Sequence, residues 1–341
     1  MQYFDSDYME GAHPLILERL VKTNMEKTSG YGTDAYCESA KKKIRKACGC
    51  PEAEIHFMVG GTQTNATVIT AMLRPYEGVI AAATGHINVH EAGAVEAGGH
   101  KVLALPSHEG KLDAAEADRY IADFYSDASW DHMVAPGMVY ISHPTEYGTL
   151  YRLDELEALS SVCRKHHIPL FLDGARLGYG LAAHGTDVTL EAIASLCDIF
   201  YIGGTKVGAL FGEAVVIPRP GFVKQFNTII KQRGVLLAKG RLLGLQFDTL
   251  FTDGLYLKIA RHGIEMADRI AACLEKKGYR FYAVPQSNQL FVVLENSRLS
   301  ALSGHVSFGI WEKADADHTV VRIATSWATR EEDVEELLSL L

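Results

Sequence analysis

Seven short apolar runs, separated by amphipathic stretches, occupy residues 54–218 and leave few folds open. They are Glu54–Val59, Val79–Ala83, Lys101–Leu105, Met138–Ser142, Pro169–Asp173, Asp198–Ile202 and Ala214–Pro218. Runs this short and this apolar read as strands buried on both faces, which is the condition of a parallel sheet. The intervening stretches have helical spacing: in Leu153–His167, Leu156, Leu159 and Cys163 recur at intervals of three and four. Strands alternating with helices predict an α/β unit, a mostly parallel seven-stranded sheet flanked by helices on both faces.

The pattern changes after Arg241. Tyr256–Lys277 predicts a long amphipathic helix with Ala260, Ile264, Ala267, Ala271 and Leu274 on one face, and Gly278 stands at the position of a helix-terminating glycine. Strand-like Gln289–Leu294, His305–Ile310 and Thr319–Ala324 follow. A last helix carries Val334, Leu337, Leu338 and Leu341 on one stripe, with Thr329 and Glu332 spaced as a capping box. The segment Pro14–Glu26 is also helix-like. With 341 residues and about 150 per domain, two domains are expected. The reading is a large domain over 14–240, a smaller α+β domain over 241–341, and an N-terminal segment, 1–13, joining them.

Charge narrows the function. Lys and Arg number 33 against 42 Asp and Glu, a net −9. Such a chain is a poor binder of nucleic acid and is repelled by anionic membranes. No apolar stretch approaches the roughly 20 residues of a membrane span. Met1 to Glu10 holds three acids, no base and no apolar core, unlike a secretion signal. Six cysteines are too few for a disulfide scaffold, so a reducing cytoplasm is expected. Cys163, Cys197 and Cys273 read as buried small apolar residues. Cys48 and Cys50 lack the second pair that structural zinc needs.

Five segments could carry chemistry. Gly60-Gly61-Thr62-Gln63-Thr64-Asn65 follows a strand and opens a helix, where free N–H groups and the helix dipole suit a phosphate, with Thr62 and Thr64 as hydroxyl donors. A plain turn before a helix is the alternative, and the Gly-Lys-Ser/Thr of a P-loop is absent. Asp173 ends an apolar strand, at the sheet edge where ligands bind, and could pair with a protonated ring nitrogen. Arg176, three residues on, could reach an acidic ligand group; helix cap and surface arginine are the bland readings. Lys206 lies just past another strand among small and apolar residues. Desolvation lowers the pKa of such a lysine and makes it a Schiff-base nucleophile, though most lysines are solvated surface charges. His86 follows a further strand end. His86 and His90 could share a helix face as metal ligands, but no third ligand is evident; ring stacking or proton transfer is more economical. Arg322, inside a β-rich run, needs an anion, either a ligand carboxylate or an internal ion pair.

A phosphate turn, an acid for a ring nitrogen, a nucleophilic lysine and a carboxylate-binding arginine are together the needs of pyridoxal 5'-phosphate acting on an amino acid. The ordered set Asp5-Ser6-Asp7, Tyr31-Gly32-Thr33-Asp34, Gly61-Thr62, His86 with Glu91-Ala92-Gly93, Asp173-Gly174-Ala175-Arg176, Thr205-Lys206, and Arg322 with Thr325-Ser326-Trp327 resembles the threonine aldolase and β-eliminating lyase family of fold-type I pyridoxal-phosphate enzymes. The resemblance extends to low-specificity L-threonine and phenylserine aldolases. It implies that Lys206 bonds the cofactor, Asp173 keeps the ring nitrogen protonated and His86 stacks on the ring. It implies that Gly61 and Thr62, with Thr205, hold the phosphate, and that Ser6, Arg176 and Arg322 bind the substrate carboxylate. It further implies a homodimer or homotetramer with shared sites, Lys239 and Arg241 reaching a neighbouring subunit. The implied reaction is retro-aldol cleavage of a β-hydroxy-α-amino acid to glycine and an aldehyde; another lyase or aminotransferase on the same scaffold is the alternative.

One segment departs from the pattern. Many threonine aldolases carry Asn-Thr-His-Asn near the substrate, whereas this chain has His143-Pro144-Thr145-Glu146-Tyr147-Gly148-Thr149. The base for the β-hydroxyl is therefore open, with His86 or a water it holds first and Glu146 second.

Overall fold

A computed structural model describes all 341 residues. Twelve strands form two sheets: β1 (Gln2–Phe4), β2 (Glu54–Met58), β3 (Glu77–Ala82), β4 (Val102–Leu105), β5 (Ala135–Ser142), β6 (Leu170–Asp173), β7 (Ile199–Gly203), β8 (Glu213–Ile217), β9 (Arg280–Phe281), β10 (Gln289–Glu295), β11 (Val306–Lys313) and β12 (His318–Ala324). The larger sheet has seven strands in the order β2-β8-β7-β6-β5-β3-β4. β8 runs antiparallel to both of its neighbours, and the other pairings are parallel. Each of the seven apolar runs is one of these strands. Their side chains are buried on both faces, and so two separate apolar clusters form, one per face. Ile80, Val139, Leu172 and Phe200 lie in one; Val79, Met138, Phe171 and Tyr201 lie in the other.

The smaller sheet has the order β1-β11-β12-β10-β9. β1 pairs in parallel with β11, Gln2 opposite Val306. That pairing spans most of the chain and left no local signal, so the strand was not legible beforehand. Helix Leu255–Lys276 covers this sheet with Met266, Ala267, Ile270 and Leu274. Its first half, Tyr256 to Ile264, belongs instead to the larger core. Helix Arg241–Leu250 also packs inside the large unit, against helices Ala35–Ala47 and Pro14–Lys22. We therefore propose that the two units divide within Leu255–Lys276.

Two local expectations differ from what forms. The last helix is Glu331–Leu340 with Arg330 as its cap. Thr329 does not cap it, because its Oγ1 accepts the Ser326 N–H at 2.8 Å instead. Cys273 is half-buried, while Cys163 and Cys197 are buried, and all six cysteines are free thiols. No helix is long and apolar enough to cross a membrane.

Candidate active site

Every strand of the parallel part ends on one edge of the sheet, and the candidate residues follow from those ends. A cavity of about 280 Å³ opens there, lined by Gly61, Thr62, His86, Asp173, Arg176, Thr205 and Lys206 among others. Residues from positions 61 to 206 meet at it because parallel strands deliver their C-terminal loops to the same place, and Tyr8 of the N-terminal segment joins them.

Helix Gly61–Met72 begins directly after β2. Its cap, Gly60, is extended and has no side-chain hydrogen bond to the first turn. The free N–H groups of the first turn thus stand at the cavity, the arrangement that suits a phosphate. A Cβ on Gly61 would come within 3.2 Å of the Tyr201 hydroxyl, so glycine keeps that approach open. Thr62 is exposed at the mouth. Thr64 is not a ligand donor as expected: it is buried, and its hydroxyl donates to the Gly60 carbonyl at 2.9 Å.

Asp173 closes β6. One carboxylate oxygen accepts from Tyr201 Oη and the Ala175 N–H; the other accepts from Tyr140 Oη at 2.7 Å and Asn65 Nδ2 at 2.9 Å. Burial alone would raise its pKa, but the charge of His86 and these donors outweigh it and hold the carboxyl below its ordinary range. An anion stays ionised inside the protein.

Lys206 follows β7 in a tight turn. Burial first, then the charge of Arg176, push its pKa down to about 8, with Asp7, Asp173 and Glu213 pulling the other way. Its Nζ has no hydrogen-bond or ion-pair partner and sits 5.7 Å from the centre of the Tyr8 ring. The turn is fixed from beneath. Thr205 Oγ1 donates to Glu213 at 2.8 Å and accepts the Gly212 N–H at 3.0 Å, while Gly204 N–H donates to Glu213 at 3.2 Å. Glu213 is itself buried, which raises its pKa.

His86 Nδ1 lies 2.7 Å from Glu91 Oε1, and Asn65 Nδ2 donates to the same oxygen at 2.8 Å. The buried carboxylate favours the Nδ1–H tautomer and orients the ring. The His86 and His90 rings are 5.6 Å apart, and no group of three or more metal-ligating side chains forms anywhere.

Arg176 lines the cavity but is already paired. Its Nε and Nη2 donate to Asp7 at 2.7 and 2.9 Å. Ser6 and Arg322 are not on the cavity wall. Arg322 donates from Nη2 to the Asp5 carbonyl at 2.6 Å and from Nη1 to Gln289 at 3.3 Å. Ser6 Oγ and Arg322 Nε are both buried without a partner. Arg241, by contrast, turns inward and donates to the Thr23 carbonyl at 2.9 Å and the Glu26 carbonyl at 3.4 Å, anchoring that turn of its own chain. Lys239 is exposed. The supporting set Asp7, Asn65, Glu91, Tyr140, Tyr201 and Glu213 escaped sequence reasoning. Asp7, Asn65 and Glu91 lay inside the motifs named above, but nothing there marked their partners.

Comparison with known proteins places this geometry in context. The β-eliminating lyase family model matches residues 4–297. A low-specificity L-threonine aldolase of a Pseudomonas species is 30% identical over 98% of this chain and 96% of its own. The solved structure of a Leishmania major threonine aldolase is 42% identical, with a TM-score of 0.96 over 100% of this chain and 98% of that one. A Thermus thermophilus aspartate aminotransferase shares the fold alone, at 17% identity and a TM-score of 0.73, covering 100% and 92%. The architecture is that of fold-type I pyridoxal-phosphate enzymes.

Proposed function

We propose that the chain, which belongs to the β-eliminating lyase family, is a pyridoxal-phosphate-dependent carbon–carbon lyase that cleaves β-hydroxy-α-amino acids of the threonine type to glycine and an aldehyde. Lys206 carries the reading: an unpartnered, desolvated amine in one cavity with an ionised Asp173. The names of its relatives support the substrate class.

The residues fit the cofactor on their own chemistry. An uncapped helix start with Gly61 and Thr62 offers N–H donors to a phosphate. Asp173 offers a carboxylate that burial has not neutralised, matched to a protonated ring nitrogen. Lys206 offers an amine without a competing partner. When bound, pyridoxal phosphate supplies an electron sink for the pair released as Cα–Cβ breaks.

The protein's share is binding, orientation and proton handling. Asp173 holds the ring nitrogen's proton. His86, fixed by Glu91, presents its ring face for stacking. Thr205 lines the cavity beside Gly61 and Thr62 but spends its hydroxyl proton on Glu213 and its N–H on the Gly212 carbonyl, so it holds the Lys206 turn in place. Arg176, held rigid by Asp7, keeps Nη1 free for a carboxylate. Ser6 Oγ and Arg322 Nε are buried off the cavity wall, so in this chain the carboxylate contact falls to Arg176. That contact would orient the substrate's Cα towards the cofactor. We also infer a homodimer or homotetramer. Leu15, Leu17, Val21 and Met25 on and after helix Pro14–Lys22 are exposed, Val21 by 78% and Met25 by 89%, an apolar edge suited to a second copy.

The test is product analysis of purified protein with added pyridoxal phosphate and L-threonine. Equal glycine and acetaldehyde without any keto-acid acceptor is expected. A strict need for a keto acid would replace the aldolase with an aminotransferase. Protein that never acquires a yellow, borohydride-bleachable chromophore would remove the cofactor.

A further inference from the structure

Cleavage of a β-hydroxy amino acid needs a base for the hydroxyl proton, and the structure offers few. His143, the histidine of the departing segment, is fully buried. Its Nδ1 accepts the Tyr151 N–H at 3.3 Å, burial pushes its pKa down to about 4, and it does not line the cavity. His86 has Nδ1 tied to Glu91, and its ring is the group assigned above to stacking on the cofactor. Glu146, three residues beyond His143, does line the cavity, together with Ser142, Pro144 and Thr145.

Glu146 is built into place. Its Oε1 accepts from Ser142 Oγ at 2.6 Å and from the His86 backbone N–H at 2.8 Å. Its Oε2 has no hydrogen-bond partner, yet is not one of the solvent-inaccessible orphan atoms. One oxygen is thus clamped and the other is open to the cavity. The residue itself is 8% exposed.

Ser142 Oγ is also 3.1 Å from Tyr140 Oη, which donates to Asp173 at 2.7 Å. Ser142 therefore gives its proton to the clamped Oε1 of Glu146, and Tyr140 gives its own to Asp173. Oε2 stands outside this chain of contacts and is the atom left to take a proton. Burial raises the pKa of Glu146, which favours uptake of a proton from a substrate hydroxyl.

Resting on the aldolase reading above, we propose that Glu146 is the catalytic base that takes the β-hydroxyl proton, with Ser142 and the His86 amide positioning it. The substrate O–H bond breaks and a Glu146 O–H bond forms. The Cα–Cβ pair moves towards the cofactor's electron sink, and the C–O bond becomes the aldehyde carbonyl. The proton gained at Glu146 equals the one that Cα takes up to become glycine, so the cycle leaves no net proton.

The experiment compares wild-type holoenzyme with Glu146→Gln in two reactions: L-threonine cleavage, and exchange of the glycine α-hydrogen in deuterium oxide. Exchange uses the same cofactor and lysine but has no β-hydroxyl. Gln retains an oxygen to accept both clamping donors. The expected result is cleavage reduced by about 10²- to 10⁴-fold, the usual worth of a positioned base, with exchange changed by less than about threefold. Cleavage within about threefold of wild type overturns the proposal, and so does equal loss of both reactions. Glu146→Asp, measured in parallel, keeps a carboxyl one methylene back and should recover at least about tenfold of the lost cleavage; no recovery overturns the proposal. Wild-type enzyme that exchanges glycine but cleaves no β-hydroxy amino acid overturns the aldolase reading as well, a pattern distinct from failure of Glu146 alone.

Discussion

Asp7 and Arg176 are joined by two parallel charge-assisted hydrogen bonds, and the Asp7 side chain has no solvent exposure while that of Arg176 has 12%. Asn288 Nδ2 donates a third bond to the same carboxylate at 2.9 Å. Asp7 thus ties the N-terminal segment to the large unit through Arg176 and to the small unit through Asn288. The pair also determines which nitrogen of Arg176 remains for a ligand.

Removing one partner of a buried ion pair leaves the other charge uncompensated. Asp7→Asn should lower the unfolding free energy by about 3 kcal/mol. Urea denaturation at neutral pH checks this. An unchanged midpoint would mean that the pair contributes nothing to the fold.

The same pair sets an acid limit. Burial would raise the pKa of Asp7, but Arg176, Lys206 and the bonds from Arg176 and Asn288 overcome it and lower the value from 3.8 to about 2. A carboxyl depressed in the folded state adds stability above its unfolded pKa and loses it as pH falls through the folded one. The contribution is about 2 kcal/mol, present at pH 5 and above and fading as pH drops from about 4 to 2. Wild type's margin over Asp7→Asn should therefore shrink between pH 5 and pH 3. A constant margin would assign the shift to another group.

Lys206 should behave as a low-pKa amine. Below about 8 it is an ammonium and cannot attack a carbonyl; above it the neutral amine dominates. The rate at which cofactor-free protein takes up pyridoxal phosphate should rise with pH and level off near that value. A rise continuing to the ordinary 10.5 would show an unperturbed lysine. Lys206→Ala should keep the circular dichroism of wild type and lose turnover.

Gly244 is a packing requirement. A Cβ there would strike Cys37, with Cys37 Sγ in overlap and the Cys37 Cα at 2.6 Å. Backbone cannot yield as a flexible side chain does, so helices Ala35–Ala47 and Arg241–Leu250 would have to part. Gly244→Ala should destabilise the protein by about 1–3 kcal/mol or more. A thermal melt reads the effect, and an unshifted midpoint would contradict the close approach.

Much of this fold was legible in the chain, and the exceptions are instructive. Strands β2 to β8 showed as apolar runs because both of their faces are buried, so nearly every residue carries the signal. Three-residue β1 had no such signal, since its partner Val306 lies at the other end of the chain. The Thr329 and Glu332 spacing was correct for a capping box, yet a turn at Ser326 took the threonine hydroxyl. At the site, Gly61, His86, Asp173 and Lys206 were visible because each follows a strand end. Arg241, which the resemblance assigned to a neighbouring subunit, is a buried loop anchor in its own chain, and no local pattern shows that burial.

The sequence by itself determined the strand and helix periods, and with them the parallel sheet and the edge on which its chemical groups gather. Those are local properties, repeated every two or 3.6 residues. Tertiary structure alone decided the state of each group. Asp173 stays charged because Tyr140, Tyr201 and Asn65, between 28 and 108 residues away, donate to it. Arg176 is half-engaged because Asp7, 169 residues away, reaches it first. Glu146 has one oxygen free because Ser142 and His86 hold the other. Ionisation and hydrogen-bond direction depend on burial and on which donors arrive, and these are settled only when distant segments pack together.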